Sequence, residues 1–269
     1  MNREKKKNQI AESIARKPSA FVVFVFLRIL VVGIGVRAFF TQSYESVFYC
    51  VLTLILFTMP SFVERKFGIE LPSLLEIIVL LFIFSAEIMG ELGSYYTKVP
   101  YWDTLLHTTN GFLCAAIGFA LCDIFNRNEK LNFTLSPLFL AIVAFCFSMT
   151  IGVLWEFFEF FMDVVVGTDM QKDFVVGSIT STLLGENTHA PLVVEDIKNT
   201  MVNGKDLGIE GFLDIGLFDT MKDLIVNFVG AVIFSIIGYF YVKTRGKGKV
   251  AKMFIPKLKA EEKGEAKDE

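Results

Sequence analysis

PLFLAIVAFCFSMTIGVLWEFFEFFMD, residues 137–163, carries no charged side chain from Pro137 to Trp155, then three carboxylates: Glu156, Glu159 and Asp163. A helix needs roughly 20 apolar residues, at about 1.5 Å of rise each, to cross a bilayer. This stretch is long enough to do so. Its acids are out of place in hydrocarbon unless they sit at a helix end or face the interior of a bundle.

Working outward, the pattern repeats. The chain has 269 residues, is 53% hydrophobic and contains 29 Phe. Its mean hydropathy is +0.53. Soluble domains average about 45–50% apolar, and here the excess is gathered into runs of membrane-spanning length. Six helices are expected, at about Ala20–Phe40, Tyr44–Phe62, Leu71–Leu92, Asp103–Ile124, Pro137–Asp163 and Asp219–Val242. The fold class is therefore all-α, a polytopic membrane helix bundle. The first run is too long for a signal-peptide core, and no small-residue cleavage site follows it, so it is expected to be retained.

Charge sets the expected orientation. Of 26 Lys and Arg, 19 fall in the N-terminal tail, the second and fourth connections, and the C-terminal tail. An excess of positive charge marks the cytoplasmic side, which places both termini there. Residues 1–19 read as a cytoplasmic basic tail and 20–242 as the transmembrane domain, including a long outer loop at 164–218. Residues 243–269 read as a cytoplasmic charged tail, disordered by composition, whose basic start would attract anionic lipid. Within the outer loop, VVEDIKNTMV (193–202) is expected to form a short amphipathic helix. Cys50, Cys114, Cys122 and Cys146 all lie in apolar runs with no CxxC pair, and read as small buried residues. No basic patch suggests nucleic acid, and the partner is the lipid bilayer. The bacterial inner membrane is the expected location.

With orientation assigned, ionisable residues gather at one end of four spans. Glu87 and Glu91 close the third. Asp103 and His107 open the fourth, Glu156, Glu159 and Asp163 close the fifth, and Asp219 and Asp223 open the sixth, followed by Asn227. Each set keeps to one helical face, because residues three, four or seven apart are neighbours. Arg37 near the outer end of the first span is a cation that could reach a bound anion. Trp102 and Trp155 flank the acids and suit interfacial anchoring. Arg28, in mid-span, is expected to pair with Glu76. No span is obviously interrupted.

So many carboxylates cannot all ionise together without compensating cations. Carboxylates with one imidazole suit a hard or borderline divalent metal ion. Asp103, His107, Glu156, Glu159 and Asp223 are the candidate ligands. His107, Asp103, Glu156 and Asp223 are the candidates for proton transfer. Glu87, Glu91, Trp155, Glu159, Asp163, Asp219, Asn227 and Arg37 are the expected binding residues. Two function classes follow: a metal-dependent membrane enzyme acting at the outer face on a lipid-linked or cell-envelope substrate, or a cation- or proton-coupled transporter. A non-catalytic assembly factor is a third.

The motifs E-x3-E (87–91), W-D-x3-H-x3-G (102–111), W-E-x2-E-x3-D (155–163), G-T-D-M-Q (167–171) and D-T-M-K-D-L-I-x-N-x2-G (219–230) together resemble the YjdF-like bacterial inner-membrane proteins. The resemblance runs from about residue 20 to 245. A more distant likeness, to VanZ-like proteins, rests on a shared Asp/His, Glu-Gln, Asp-Asp-Asn order, and that family is implicated in glycopeptide antibiotic resistance. The resemblance implies no activity, but it adds Gln171 to the binding residues, as a loop side chain folding back over the acids.

Overall fold

The computed structural model describes residues 16–126, 135–185, 190–244 and 252–258. Six helical stretches are long and apolar enough to cross a membrane: Pro18–Phe40, Tyr44–Phe67, Ser73–Leu92, Trp102–Asp123, Pro137–Val166 and Leu217–Lys243. The protein is a polytopic helical membrane protein, and it contacts the lipid bilayer. The apolar side chains at the surface of these helices have no other solvent that would tolerate them.

Three of the six spans are not continuous α-helix. The first is α1 (Pro18–Phe40). The second breaks into α2 (Tyr44–Leu56) and α3 (Met59–Phe67). Pro60 lies in the first turn of α3, where its missing N–H costs nothing. The third is α4 (Ser73–Phe84), which widens into a π-helical stretch at Ser85–Leu92. A short α5 (Tyr95–Lys98) leads to α6 (Trp102–Asn126), the fourth span. The fifth, α7 (Pro137–Phe161), also ends in a π-helical stretch, Met162–Val166. The sixth is α8 (Leu217–Lys243). The expectation of uninterrupted spans is thus corrected. Both π-helical stretches carry acids of the candidate site, Glu87 and Glu91 in one and Asp163 in the other. Such widened turns recur at functional sites.

The chain divides into two compact units, Met1–Met149 with Asn227–Glu269, and Thr150–Val226. In the first unit, α6 and α8 meet backbone to backbone. A Cβ at Gly111 would run into the Asn227 carbonyl, and one at Gly230 into the Thr108 carbonyl. Small residues let membrane helices approach this closely. Below the glycines lies a core of Ala115, Ala116, Phe119, Leu140, Ala144, Ala231 and Phe234. α7 joins it through the Ser148 hydroxyl, which donates to the Gly111 carbonyl at 2.7 Å. A second core, Leu27, Val31, Cys50, Phe57, Leu80 and Ile88, holds α1, α2 and α4 together.

The same unit carries an ion-pair clasp near the N-terminal tail. Lys17 bonds Glu64 and, at 3.1 Å, Glu76. Glu64 also accepts the Leu71 N–H at 2.8 Å. The expected Arg28–Glu76 pair is therefore corrected. Glu76 is in the first turn of its helix, level with the start of α1, whereas Arg28 lies ten residues further along, roughly 15 Å by helical rise. Arg28 instead covers the Phe24 ring at 4.6 Å and donates to the Leu54 carbonyl at 3.4 Å.

Another expectation changes at the C-terminal tail. Residues 252–258 are folded rather than disordered: β8 (Lys257–Leu258) pairs antiparallel with β1 (Ile69–Glu70), and Ile255 is buried. Aromatic and aliphatic side chains hidden among the basic ones outweigh the composition. Residues 1–15, 245–251 and 259–269 of the two tails lie outside the described residues.

In the second unit the long loop is built from short ladders. β2 (Phe174–Val176) pairs with β7 (Phe212–Asp214), and β3 (Ile179–Ser181) with β4 (Leu192–Val194). β5 (Met201–Val202) and β6 (Lys205–Asp206) form a hairpin through Asn203-Gly204, both at positive φ. This is the mirror-image turn that Asn-Gly favours. The helix expected at 193–202 is absent. Val193 and Val194 are claimed by β3, and Asp196 stands at φ 52°, outside any right-handed helix.

Two outcomes test this packing. Gly111→Ala should lower the melting temperature in detergent by several degrees or prevent assembly, because its methyl meets backbone; Gly33→Ala, which meets open space, should not. Lys17→Met should destabilise by about 3–5 kcal/mol, the usual cost of removing one partner of a buried pair. Burial opposes the Lys17 ammonium, but hydrogen bonding to Glu64 and the charges of both glutamates raise its pKa above 10.5. Its contribution is therefore full below that pH and lost as pH rises through the folded value. A melting-temperature difference between wild type and Lys17→Met that persists unchanged well above that range would contradict the clasp.

Candidate functional site

In the first unit the site begins at the first turn of α6. The Asp103 carboxylate and His107 Nε2 are 3.4 Å apart, one helical turn from each other and both half-buried. The turn is fixed by Trp102, whose ring meets Tyr95 edge-on at 4.9 Å, and by Tyr101 at φ 63°, which reverses the chain just before the helix. The Trp102 indole N–H and the Thr104 hydroxyl, on either side of Asp103, are buried with no hydrogen-bond partner among the described residues. Buried polar atoms in native proteins are nearly always satisfied, by protein, water or a ligand. This turn therefore has unspent donors beside an acid–imidazole pair.

Further along the same helices, Asn227 of α8 is fully buried. It accepts from the Asn110 amide at 3.3 Å and donates to the Met149 sulfur at 3.6 Å. Cys114 approaches the other end of Asn110 at 3.5 Å. A polar pair in mid-bundle is costly unless bonded in this way. Glu87 is half-buried, whereas Glu91 is exposed and lies beside the Tyr49 hydroxyl. Arg37 is exposed in the last turn of α1 and forms no ion pair among the described residues.

In the second unit, α7 shows why its acids tolerate their position. Glu156 and Glu159 are 4% and 7% exposed, whereas Leu154, Trp155, Phe157, Phe158, Phe160 and Phe161 all face outward. The carboxylates thus occupy the interior face and the aromatics the lipid face. Trp155 serves both, since its indole N–H donates to Glu159 at 2.8 Å.

Asp163 and Asp219 have a different role. Asp163 accepts the backbone N–H of Met170 at 2.6 Å and of Gln171 at 2.8 Å, together with the Thr168 hydroxyl at 2.8 Å. Asp219 accepts the N–H of the next residue, Lys172, at 2.7 Å. The Gln171 side chain turns back to the Thr220 hydroxyl and packs where a Cβ of Gly216 would stand. Two acids thus stitch one strip of loop, residues 168–172, to the end of the fifth span and the start of the sixth. Charged acceptors make such bonds about twice as strong as neutral ones. Lys222 lies 3.6 Å from Asp219 and 3.7 Å from Asp223, its ammonium 5.7 Å from the Phe174 ring centre. Asp223 is 1% exposed.

The residues picked from sequence therefore sort into groups. Asp103 with His107, Glu159 with Trp155, and Asp223 with Lys222 are side-chain pairs. Asp163 and Asp219 bind backbone. Glu91 has Tyr49, and Asn227 has Asn110. Sequence reading missed Tyr49, Asn110 and the amides of residues 170–172. Tyr49 lies four residues after Glu45 on an otherwise apolar helix, and Asn110 adjoins the glycine of the fourth-span row. Either was a usable signal.

Asp163→Ala should free the strip at residues 168–172, read as faster amide hydrogen exchange there by about tenfold or more, since bonds to a charged acceptor are worth about 1.5–3 kcal/mol. Exchange elsewhere in α7 should stay unchanged. Unaltered exchange at Met170 and Gln171 would show that the carboxylate does not hold them.

The family described as "Predicted membrane protein (DUF2238)" matches residues 20–244. An uncharacterized protein of Thermotoga maritima is 25% identical over 173 residues, which cover 62% of this chain and 87% of that protein. No solved structure matches the chain. The family match spans all six helices and every motif quoted above, so the chain belongs to this family of multi-pass membrane proteins, to which the YjdF-like proteins also belong.

Proposed function

We propose that the protein is a membrane-embedded enzyme that works at the outer face of the bacterial inner membrane, with both termini cytoplasmic and a divalent metal ion as cofactor. The observation that carries this reading is the first turn of α6: an Asp103–His107 pair at 3.4 Å, flanked by unpartnered buried donors on Trp102 and Thr104. An acid and an imidazole one turn apart are a suitable donor pair for a metal. A bound metal would supply Lewis acidity toward a phosphoryl or carbonyl oxygen. The remaining work belongs to the chain. Asp103 and His107 would hold the ion, and a carboxylic acid at the same end of the spans would move a proton to or from the reacting group. A lipid-linked or cell-envelope substrate would arrive laterally from the outer leaflet, and the basic start of the C-terminal tail would rest on anionic lipid at the inner one.

A second reading, a cation- or proton-coupled carrier, is favoured by the π-helical ends of the third and fifth spans and by the Asn110–Asn227 pair inside the bundle. Carriers commonly place binding groups on broken helices near the midplane.

Metal analysis of the purified protein separates these readings from a purely structural polar core. Wild type should hold about one divalent ion per chain, and His107→Ala and Asp103→Asn should each lose most of it. Equal background metal in all three proteins would remove the metal-dependent enzyme. Cation or proton flux into proteoliposomes, abolished by Asn227→Ala, would instead select the carrier.

A further inference from the structure

Residues 252–258, KMFIPKL, form a contact that the outer-face chemistry does not use. The segment returns to the first unit at the end bearing Lys17 and the β1 strand. Ile255 is 2% exposed and joins Ala115 and Ala116 of α6, Leu140 and Ala144 of α7, and Ala231 of α8 in one core. Phe254 meets the Phe112 ring edge-on at 5.0 Å, and Phe112 meets Phe234 in the same way at 5.1 Å. Alanines from three helices are too short to fill the space between those helices; the tail fills it.

Two features make this seat unusual for a chain end. Among the described residues, two pairs, Ile69 with Leu258 and Glu70 with Lys257, tie the segment down by backbone pairing. A ladder that short contributes little by itself. The Ser235 hydroxyl, one helical turn along α8 from Ala231 of that core, is also buried without a partner among the described residues. A buried, unspent hydroxyl on one of the helices that form the seat is a group that water would satisfy if the seat opened. The Asn110–Asn227 pair is the next polar feature on the same helices.

We infer that residues 252–258 are a removable plug: the half of the bundle nearer the chain termini contains a cavity between α6, α7 and α8, and Phe254 and Ile255 close it. Withdrawal of the plug opens the cavity from the side of the chain termini, as far as Cys114 beside Asn110. This holds whether the outer-face acids serve an enzyme or a carrier, and it fails independently of them.

Cys114 is the probe, because it is buried and bonded to Asn110. In full-length protein retaining Cys114 as its single thiol, reconstituted in vesicles, a membrane-impermeant thiosulfonate is applied separately to each face. Labelling of the wild type should be slow. Ile255→Asp should raise the rate from the face of the termini by about tenfold or more, which corresponds to about 1.4 kcal/mol less protection against local opening. A disulfide between Ile69→Cys and Leu258→Cys, formed before labelling, should slow the reaction below the wild-type rate. This second variant leaves the Ile255 seat intact and tests the plug even if Ile255→Asp fails to fold. A rate unchanged by the tether, or a gain in Ile255→Asp confined to the opposite face, would overturn the plug.

Discussion

The contact between the backbones of α6 and α8 at Gly111 and Gly230 is the constraint on which much else in the first unit depends. In hydrocarbon there is no water to release between helices, so association relies on close packing and on polar bonds that cannot be made to lipid. Two glycines bring the helices near enough for Asn110 to reach Asn227 and for Ser148 to reach the Gly111 carbonyl. The alanines below them then leave the space that Ile255 enters. Close approach, polar satisfaction and the seat for the tail are consequences of one choice of small residues.

The acids follow a second constraint, the cost of a charge in a medium of low dielectric. The chain meets it in three ways. On α7 it turns the glutamates inward and covers the opposite face with phenylalanine. At Asp163 and Asp219 it gives the carboxylates backbone amides, which turns acids near a water boundary into anchors for a loop. At Asp223 it supplies Lys222. The Asp103–His107 turn combines an acid–imidazole pair with neighbouring buried donors that no described residue satisfies, and for this reason the proposed chemistry is centred there.

Much of the candidate site was legible because helical spacing is a rigid rule. Glu156 and Glu159, three apart, had to share a face, and the aromatics between them had to take the other. The division of labour among the acids was not legible. Asp163 and Glu159 look alike in the sequence, and what separates them is a loop that returns five to eight residues later to present its amides to Asp163. The Arg28–Glu76 expectation failed for a similar reason. It matched charges by count, but Lys17 was nearer in depth along the helices. In the loop at 193–202, an amphipathic pattern suggested a helix, yet Val193 and Val194 had strand partners far away in sequence, and the Asn203-Gly204 turn was the better guide.

The sequence alone determined that this is a membrane protein with six helical spans, because hydrocarbon thickness and the need to satisfy every backbone group leave a long apolar run no other structure. It also determined which ionisable residues share a helix end, since a fixed rise and turn per residue allow no alternative. Tertiary structure alone decided which of those residues bind backbone, which pair with one another, and that a basic tail hides two apolar side chains inside the bundle. Those outcomes depend on groups brought together from distant parts of the chain, and no local periodicity encodes a distance across space.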